Sequence, residues 1–356
     1  MKKLLLAGVA MGSVALAAPA HADIDLEVSG YFKGYGVFVD QDETAGTDVN
    51  DFDFIRDTEI HIGGETVLDN GLTVGAHFEF EVDGADSTEV DESYVYFSGN
   101  WGRVNFGAED GAGYLLQVAA PSADSNVDGI RQYVSPFVYT TGGFAAPALG
   151  QLDYDMDPTG KNDKLTYLTP VMNGFQAGVS FTPDGDQAAS FGVGTETTTD
   201  NVGDEAYEIA VRYEGQFQNV GVIAGAGYAH VENNSATATQ DDRDAWNIGL
   251  DLDIAAFGIG AIYTEDSTFV DNSDIETFAV GADYTTGPFK LGISYLNTEE
   301  ENGAAAEEEF DRYSGGVVYN YGPGMSFRGS IHHVAYDTTG TDADGTSVIL
   351  GTQVNF

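Results

Sequence analysis

The sequence predicts an all-β chain, a closed antiparallel barrel of about sixteen strands set in a lipid bilayer. Three observations lead there: apolar residues alternate with polar ones along nearly the whole chain after residue 22, no apolar run is long enough to cross a bilayer as a helix, and short turns alternate with longer acidic connections. The last residues show the alternation plainly. Val348, Leu350, Val354 and Phe356 share one parity, interrupted only by Thr352, while Ile349, Gly351, Gln353 and Asn355 occupy the other. Successive residues of a strand point to opposite faces, so this final element carries one greasy face and one more polar face. The last strand of a soluble sandwich would alternate in the same way, so the segment takes its meaning from the rest of the chain.

The amino terminus has Lys2 and Lys3, an apolar stretch over 4–18, and then Ala20-His21-Ala22. That is the basic, apolar and small-x-small order of a secretory signal, with cleavage expected after Ala22 and residues 23–356 forming a single barrel domain. As a retained anchor the stretch is too short, since a spanning helix needs roughly 20 residues. Beyond Ala22, Gly, Asp, Glu, Thr and Asn interrupt every apolar run, so a membrane would be crossed by strands. The chain has no Cys, which removes disulfides, thiolate metal sites and lipidation at cysteine. The formal charge of −45 becomes −47 once Lys2 and Lys3 leave with the signal, and this argues against a nucleic-acid partner. With 12% aromatic and 42% hydrophobic residues the chain is too apolar to stay disordered.

Taken in order, strands are expected at 25–38, 52–66, 72–83, 91–98, 103–108, 161–169, 175–182, 205–214, 220–231, 243–254, 258–265, 275–285, 289–297, 310–321, 324–336 and 346–356. Short turns rich in Gly, Asn, Asp or Pro fall at 68–71, 99–102, 170–174, 215–219, 255–257, 286–288 and 322–323, as tight reversals require. Their longer partners, at 39–51, 183–204, 232–242, 298–309 and 337–345, are polar and acidic. Short connections at one end and long ones at the other describe a meander of neighbouring strands. An unpaired backbone group costs several kcal/mol in lipid, so the meander must close on itself.

Parity assigns the two faces. Leu26, Val28, Phe32 and Phe38 oppose Glu27, Ser29 and Lys33; Leu72, Val74, Ala76, Phe78 and Phe80 oppose Thr73, His77, Glu79 and Glu81. An Arg or Lys at mid-depth on the lipid face costs about 2–4 kcal/mol. Lys33, Arg103, Lys164, Arg212, Lys290, Arg312 and Arg328 all lie on the polar parity, which is therefore inward. Arg56 shares parity with Phe54, Ile60 and Ile62 and is expected near the loop end, at a bulge or at a subunit contact.

The passages Ile60 to Glu65, Asn70-Gly71-Leu72, Phe78 to Glu81, Tyr94 to Gly107, Leu165 to Pro170 with Gly174-Phe175, and the final Phe356 together resemble a Gram-negative general porin of the alphaproteobacterial type. The resemblance implies a sixteen-stranded homotrimer in the outer membrane, in contact with lipid and lipopolysaccharide, passing small hydrophilic solutes by diffusion. It also implies trimer contacts around residues 25–66 and a long third loop, here 109–160, folded into the lumen as a constriction. Within that loop a short helix is expected over 114–118, continuing toward Ala119 and Ala120. Loops of this length are usually functional or disordered; a solvated surface lid is the alternative, and the inward course is favoured by the resemblance alone. General porins often line the wall opposite the loop with arginines, whereas this chain has Glu59 and Thr166 at such positions.

The expected pore-lining set is Lys33, Asp53, Asp57, Glu59, His77, Glu79, Glu81, Glu92, Arg103, Asp124, Asp128, Lys164, Arg212 and Arg328. Acids dominate it, so a water-filled lumen of this kind is expected to prefer cations. Asp153, Asp155 and Asp157 resemble the start of a calcium loop, but Pro158 stands where the turn needs Gly and Lys164 where a bidentate Glu belongs. That excludes an EF-hand and leaves a loose divalent site with calcium as the candidate ion; no other cofactor is required. His61, His77, His230, His332 and His333 are scattered on strands, and no nucleophile elbow, metalloprotease pair or phosphate loop occurs, so no catalysis is expected. Two alternatives stay open: a substrate-selective channel, for sugars or another solute, and a secreted calcium-binding structural β-protein; Arg131, Tyr133 and Tyr139 in the long loop suit a general or a selective channel alike.

Overall fold

A computed structural model describes residues 24–43, 48–82, 89–123, 135–139, 153–185, 203–235, 237, 240–271, 273–302, 308–338 and 341–356. The strands are β1 (Asp25–Gln41), β2 (Phe52–Val67), β3 (Thr73–Glu81), β4 (Glu89–Gly99), β5 (Gly102–Ala108), β6 (Asp163–Leu168), β7 (Phe175–Thr182) and β8 (Ala206–Phe217), followed by β9 (Val220–Val231), β10 (Arg243–Ile254), β11 (Phe257–Ser267), β12 (Ser273–Thr286), β13 (Phe289–Asn302), β14 (Glu308–Gly322), β15 (Met325–Thr338) and β16 (Thr341–Asn355). One helical turn, α1 (Ala112–Leu115), lies between β5 and β6.

Each strand pairs antiparallel with its sequence neighbours, and β1 closes onto β16 in a register running from Tyr31 opposite Asn355 to Gln41 opposite Gly345. Phe356 and Gly30 extend that seam by exchanging backbone hydrogen bonds of 3.0 Å in both directions. A closed ladder leaves no strand edge, the condition a lipid environment imposes on any sheet. Among the described residues no helix is long and apolar enough to cross a membrane.

The parity assignment holds around the wall. Leu26, Phe54, Phe106 and Ile293 are exposed on the outer face, at 74%, 78%, 60% and 67%, whereas Tyr35, Ile349, Lys33 and Arg312 on the opposite parity are buried. Outward aromatic side chains pair across neighbouring strands near both rims. At the short-turn end Phe175 meets Tyr213, Phe257 meets Tyr284 and Phe289 meets Tyr319; at the other, Phe181 meets Tyr207, Trp246 meets Tyr263 and Tyr295 meets Tyr313. Two such girdles flank the lipid-facing band of membrane barrels.

Some expected boundaries move. The 298–309 connection is largely strand, because β13 runs to Asn302 and β14 starts at Glu308; the 337–345 connection shrinks to residues 339–340, with Thr338 opposite Thr341. Above the apolar band both faces of a strand are polar, so pairing continues without an alternation to reveal it. The helix sits at Ala112–Leu115 and not over 114–118, since Leu116 already leaves helical geometry. Arg56 is exposed in the first third of β2, directly opposite Gly34 in an unbroken register, which rules out a bulge there, and it borders the cavity on the inner side of this wall.

Candidate functional site

The loop after β5 turns inward and lies against the wall opposite β2 and β3. Its first segment is fixed by polar contacts: the Ala112 N–H donates to Ser180 Oγ at 2.8 Å, the Gly113 N–H to Glu208 Oε2 at 2.8 Å, and Arg212 Nη1 to the Gln117 carbonyl at 3.0 Å. Gln117 ties this segment to the returning strand of the loop, donating to the Tyr154 carbonyl at 2.8 Å and accepting from the Met156 N–H at 3.2 Å. The wall is shaped to receive it. A methyl group on Gly249 would press on Val118, one on Gly260 on Pro121, and one on Gly292 would overlap the Ala123 backbone nitrogen. Residues 135–139 reach the other side, where Gln41 and Val138 exchange side-chain to backbone hydrogen bonds of 3.0 Å.

Between the loop and β1 to β4 lies a cavity of about 640 Å³. Asp57, Glu59, Glu79, Glu81, Asp91, Glu92, Asp110, Asp155 and Asp157 border it, with two cations, Arg56 and Lys161, among them. Lys161 Nζ lies 3.3 Å from Asp91, 3.2 Å from Glu92 and 3.2 Å from Asp110, so one cation ties the loop to the wall. Both Asp91 and Glu92 reach it because the β3–β4 register slips: Phe78 faces Ser93 but Phe80 faces Val90. An extra residue on one strand re-aims its side chains, turning two consecutive acids to the same side.

The expected pore residues divide between this cavity and its supports. Asp57, Glu59, Glu79, Glu81 and Glu92 line it, and His77 Nε2 donates to Glu79 Oε1 at 2.6 Å. Lys33 is inward but buried, with Nζ 2.5 Å from Asp57 and 4.1 Å from the Tyr31 ring centroid. Arg103 lies over the Tyr96 ring at 3.9 Å and donates to Asn105 at 2.6 Å. Lys164 is almost wholly buried, its ammonium donating to the Glu109 and Gly160 carbonyls at the two ends of the loop, so it holds the constriction without lining it. Arg212 holds the loop as described, and Arg328 donates to Ser326 at 3.2 Å on the inner wall of β15. Asp53 borders a separate cavity of about 410 Å³ with Phe137 and Val138. Tyr139 is buried against Phe310, a packing position. Asp124, Asp128, Arg131, Tyr133 and the cleavage position Ala22 lie outside the described residues.

Asp153 Oδ1 accepts the N–H groups of Tyr154 at 2.6 Å and Asp155 at 3.2 Å, shaping the turn, while Asp155 and Asp157 face the cavity. Among the described residues, three metal-ligating atoms converge instead at His61, His77 and Glu79, and at Glu59, Glu79 and Asp91. Sequence reading passed over Lys161, Asp91 and Asp110, and took His61 only as one of several histidines scattered on strands. The first two depend on a bulge and a loop path that alternation does not encode.

Electrostatics in the loop follow from burial. Glu109 is pushed up to about 7 by burial, against the Asn105 hydrogen bond and the charge of Arg103. Asp157 is likewise raised to about 7 by burial and by the neighbouring Asp110 charge, and Asp110 itself is raised by burial. One oxygen of each of these three carboxyls is buried without a hydrogen-bond partner among the described residues. Burial works against the Lys161 charge, but Asp110, Glu92 and Asp91 outweigh it and hold the ammonium above its ordinary range.

A family model described as Gram-negative porin matches residues 7–340. An uncharacterized protein of Rickettsia conorii is 23% identical over 91% of this chain and 84% of its own length, and one of Rickettsia felis is 22% identical over the same shares. Among solved structures, an anion-selective porin from Comamonas acidovorans aligns with TM-score 0.65 at 15% identity, covering 94% of this chain and all of its own. A loop-deletion mutant of OmpT, an outer membrane protein of Vibrio cholerae, aligns with TM-score 0.61 at 16% identity over 94% of this chain and 99% of its own. At these identities the structural likeness speaks for the fold.

Proposed function

Because the chain belongs to the Gram-negative porin family, we propose that it forms a water-filled channel in the outer membrane, without enzymatic activity, for passive diffusion of small hydrophilic solutes and with a preference for cations. The observation that carries the preference is the cavity beneath the loop, where nine carboxylates outnumber two cations, Arg56 and Lys161. Two unit charges 4 Å apart in water interact by about 1 kcal/mol, roughly a fivefold population bias. At physiological salt the screening length is about 8 Å, comparable to the width of a constricted passage, so the field of the wall covers most of the cross-section. Self-association as a homotrimer belongs to the same reading and is supported by the family.

The test is a reversal potential across a planar bilayer in a potassium chloride gradient. The expected sign is that of cation preference; an anion-selective sign rejects the selectivity, and a bilayer left without conductance rejects the channel.

A further inference from the structure

We propose that His61, His77 and Glu79 form a binding site for a divalent cation of the zinc class on the lumenal wall of β2 and β3. The register brings them together: His61 stands directly opposite Glu79, and His77 lies two residues earlier on the same face of β3. His61 Nδ1 is 2.9 Å and His77 Nε2 is 2.6 Å from a single oxygen, Glu79 Oε1, and the three ligand atoms all lie within 4.8 Å of one another. A zinc ion holds imidazole nitrogens and carboxylate oxygens at about 2.0–2.2 Å in tetrahedral array, which sets its ligand atoms roughly 3.3 Å apart. The two imidazole-to-carboxylate gaps reach that spacing by opening about 0.4 Å at His61 and about 0.7 Å at His77.

The surroundings fit a site open to solvent. The histidine side chains are each 25% exposed and that of Glu79 17%, so a fourth position faces the water of the lumen, as in zinc sites with three protein ligands. Glu59 Oε1 lies 3.5 Å from His61 Nε2, on the side of the ring away from Glu79. A carboxylate behind a metal-bound imidazole fixes its tautomer and raises its basicity. The rings are also confined, His61 by Tyr31 at 6.4 Å and His77 by Tyr94 at 5.3 Å between centroids. Two imidazoles also choose the ion, because calcium and magnesium take oxygen ligands while imidazole suits zinc, copper and nickel. Where the chain acts as a channel, a doubly charged ion held here offsets the negative lumen and slows cation passage; that consequence rests on the proposed function, whereas binding does not.

The experiment uses the untagged full chain folded in detergent, with zinc chloride alone as the probe. Calorimetry is expected to show micromolar binding of one ion per chain, weakened roughly tenfold or more by His61→Gln and by His77→Gln and unchanged by His230→Gln at the rim, with calcium failing to compete. Heat-dependent gel migration shows whether each variant keeps its barrel. Wild-type binding weaker than millimolar, or equal binding in the wild type and both glutamine variants, overturns the site. In planar bilayers micromolar zinc is expected to lower the wild-type current reversibly and to leave the His77→Gln current unchanged; zinc binding without any change in current upholds the site and overturns the block.

Discussion

Glu109 and Asp157 set the acid response of the loop, because burial holds both carboxyls near 7, well above the ordinary carboxylate range. Their folded-state values exceed their unfolded ones, so the folded chain binds more protons between about pH 4 and about pH 7. Stability therefore rises as pH falls through that window and is lost as it increases. The same protonation removes negative charge from the lumen, while Lys161 keeps its charge throughout. Cation preference, read from reversal potentials between about pH 8 and about pH 5, is expected to decline with a midpoint near 7, and Asp157→Asn is expected to flatten part of that decline. A preference that stays level across the range contradicts the assignment. None of this was legible from the residues alone. Asp157 entered the sequence reading as one of three calcium ligands, and only the path of the loop shows that it is enclosed beside Asp110.

At the scale of elements, the loop segment around α1 depends on the glycines of the facing wall. Gly292 is the most demanding, since any side chain there overlaps the backbone at Ala123. Gly292→Val is expected to leave the barrel closed, because the residue sits in an antiparallel pair with Gly316 and Asp283 that a β-branched residue favours. It should push residues 118–123 off the wall and change single-channel conductance by about twofold; an unchanged conductance in a correctly folded variant would show that this loop segment does not set the pore. The strands themselves were readable because lipid outside and water inside impose opposite demands on alternate residues. All sixteen expected segments correspond to strands, and the misplaced ends, such as Thr298–Asn302 in β13, lie where both faces are wet and alternation vanishes. The inward course of the loop came from the family resemblance. The inward-parity glycines at 249, 260 and 292 are the residue-level trace of it, visible only once the loop is known to lie there.

For the whole molecule, the governing quantity is a formal charge of −45 distributed so that acids crowd one cavity and the rims while the lipid belt stays apolar. Fixed charge acts across water only as far as salt allows. The screening length is about 10 Å at 0.1 M and about 3 Å at 1 M, so in dilute salt an ion crossing the cavity meets the field of the whole wall, and in concentrated salt only that of the carboxylate it touches. Cation preference arising from the wall should therefore weaken when the same concentration ratio is applied about a mean of 1 M instead of about 0.1 M. Permeability ratios from the two reversal potentials measure the difference directly. A ratio that does not change with salt would mean that selection happens by contact at one narrow point, and would move the origin of selectivity from the acidic wall to Lys161 and the carboxylates that hold it.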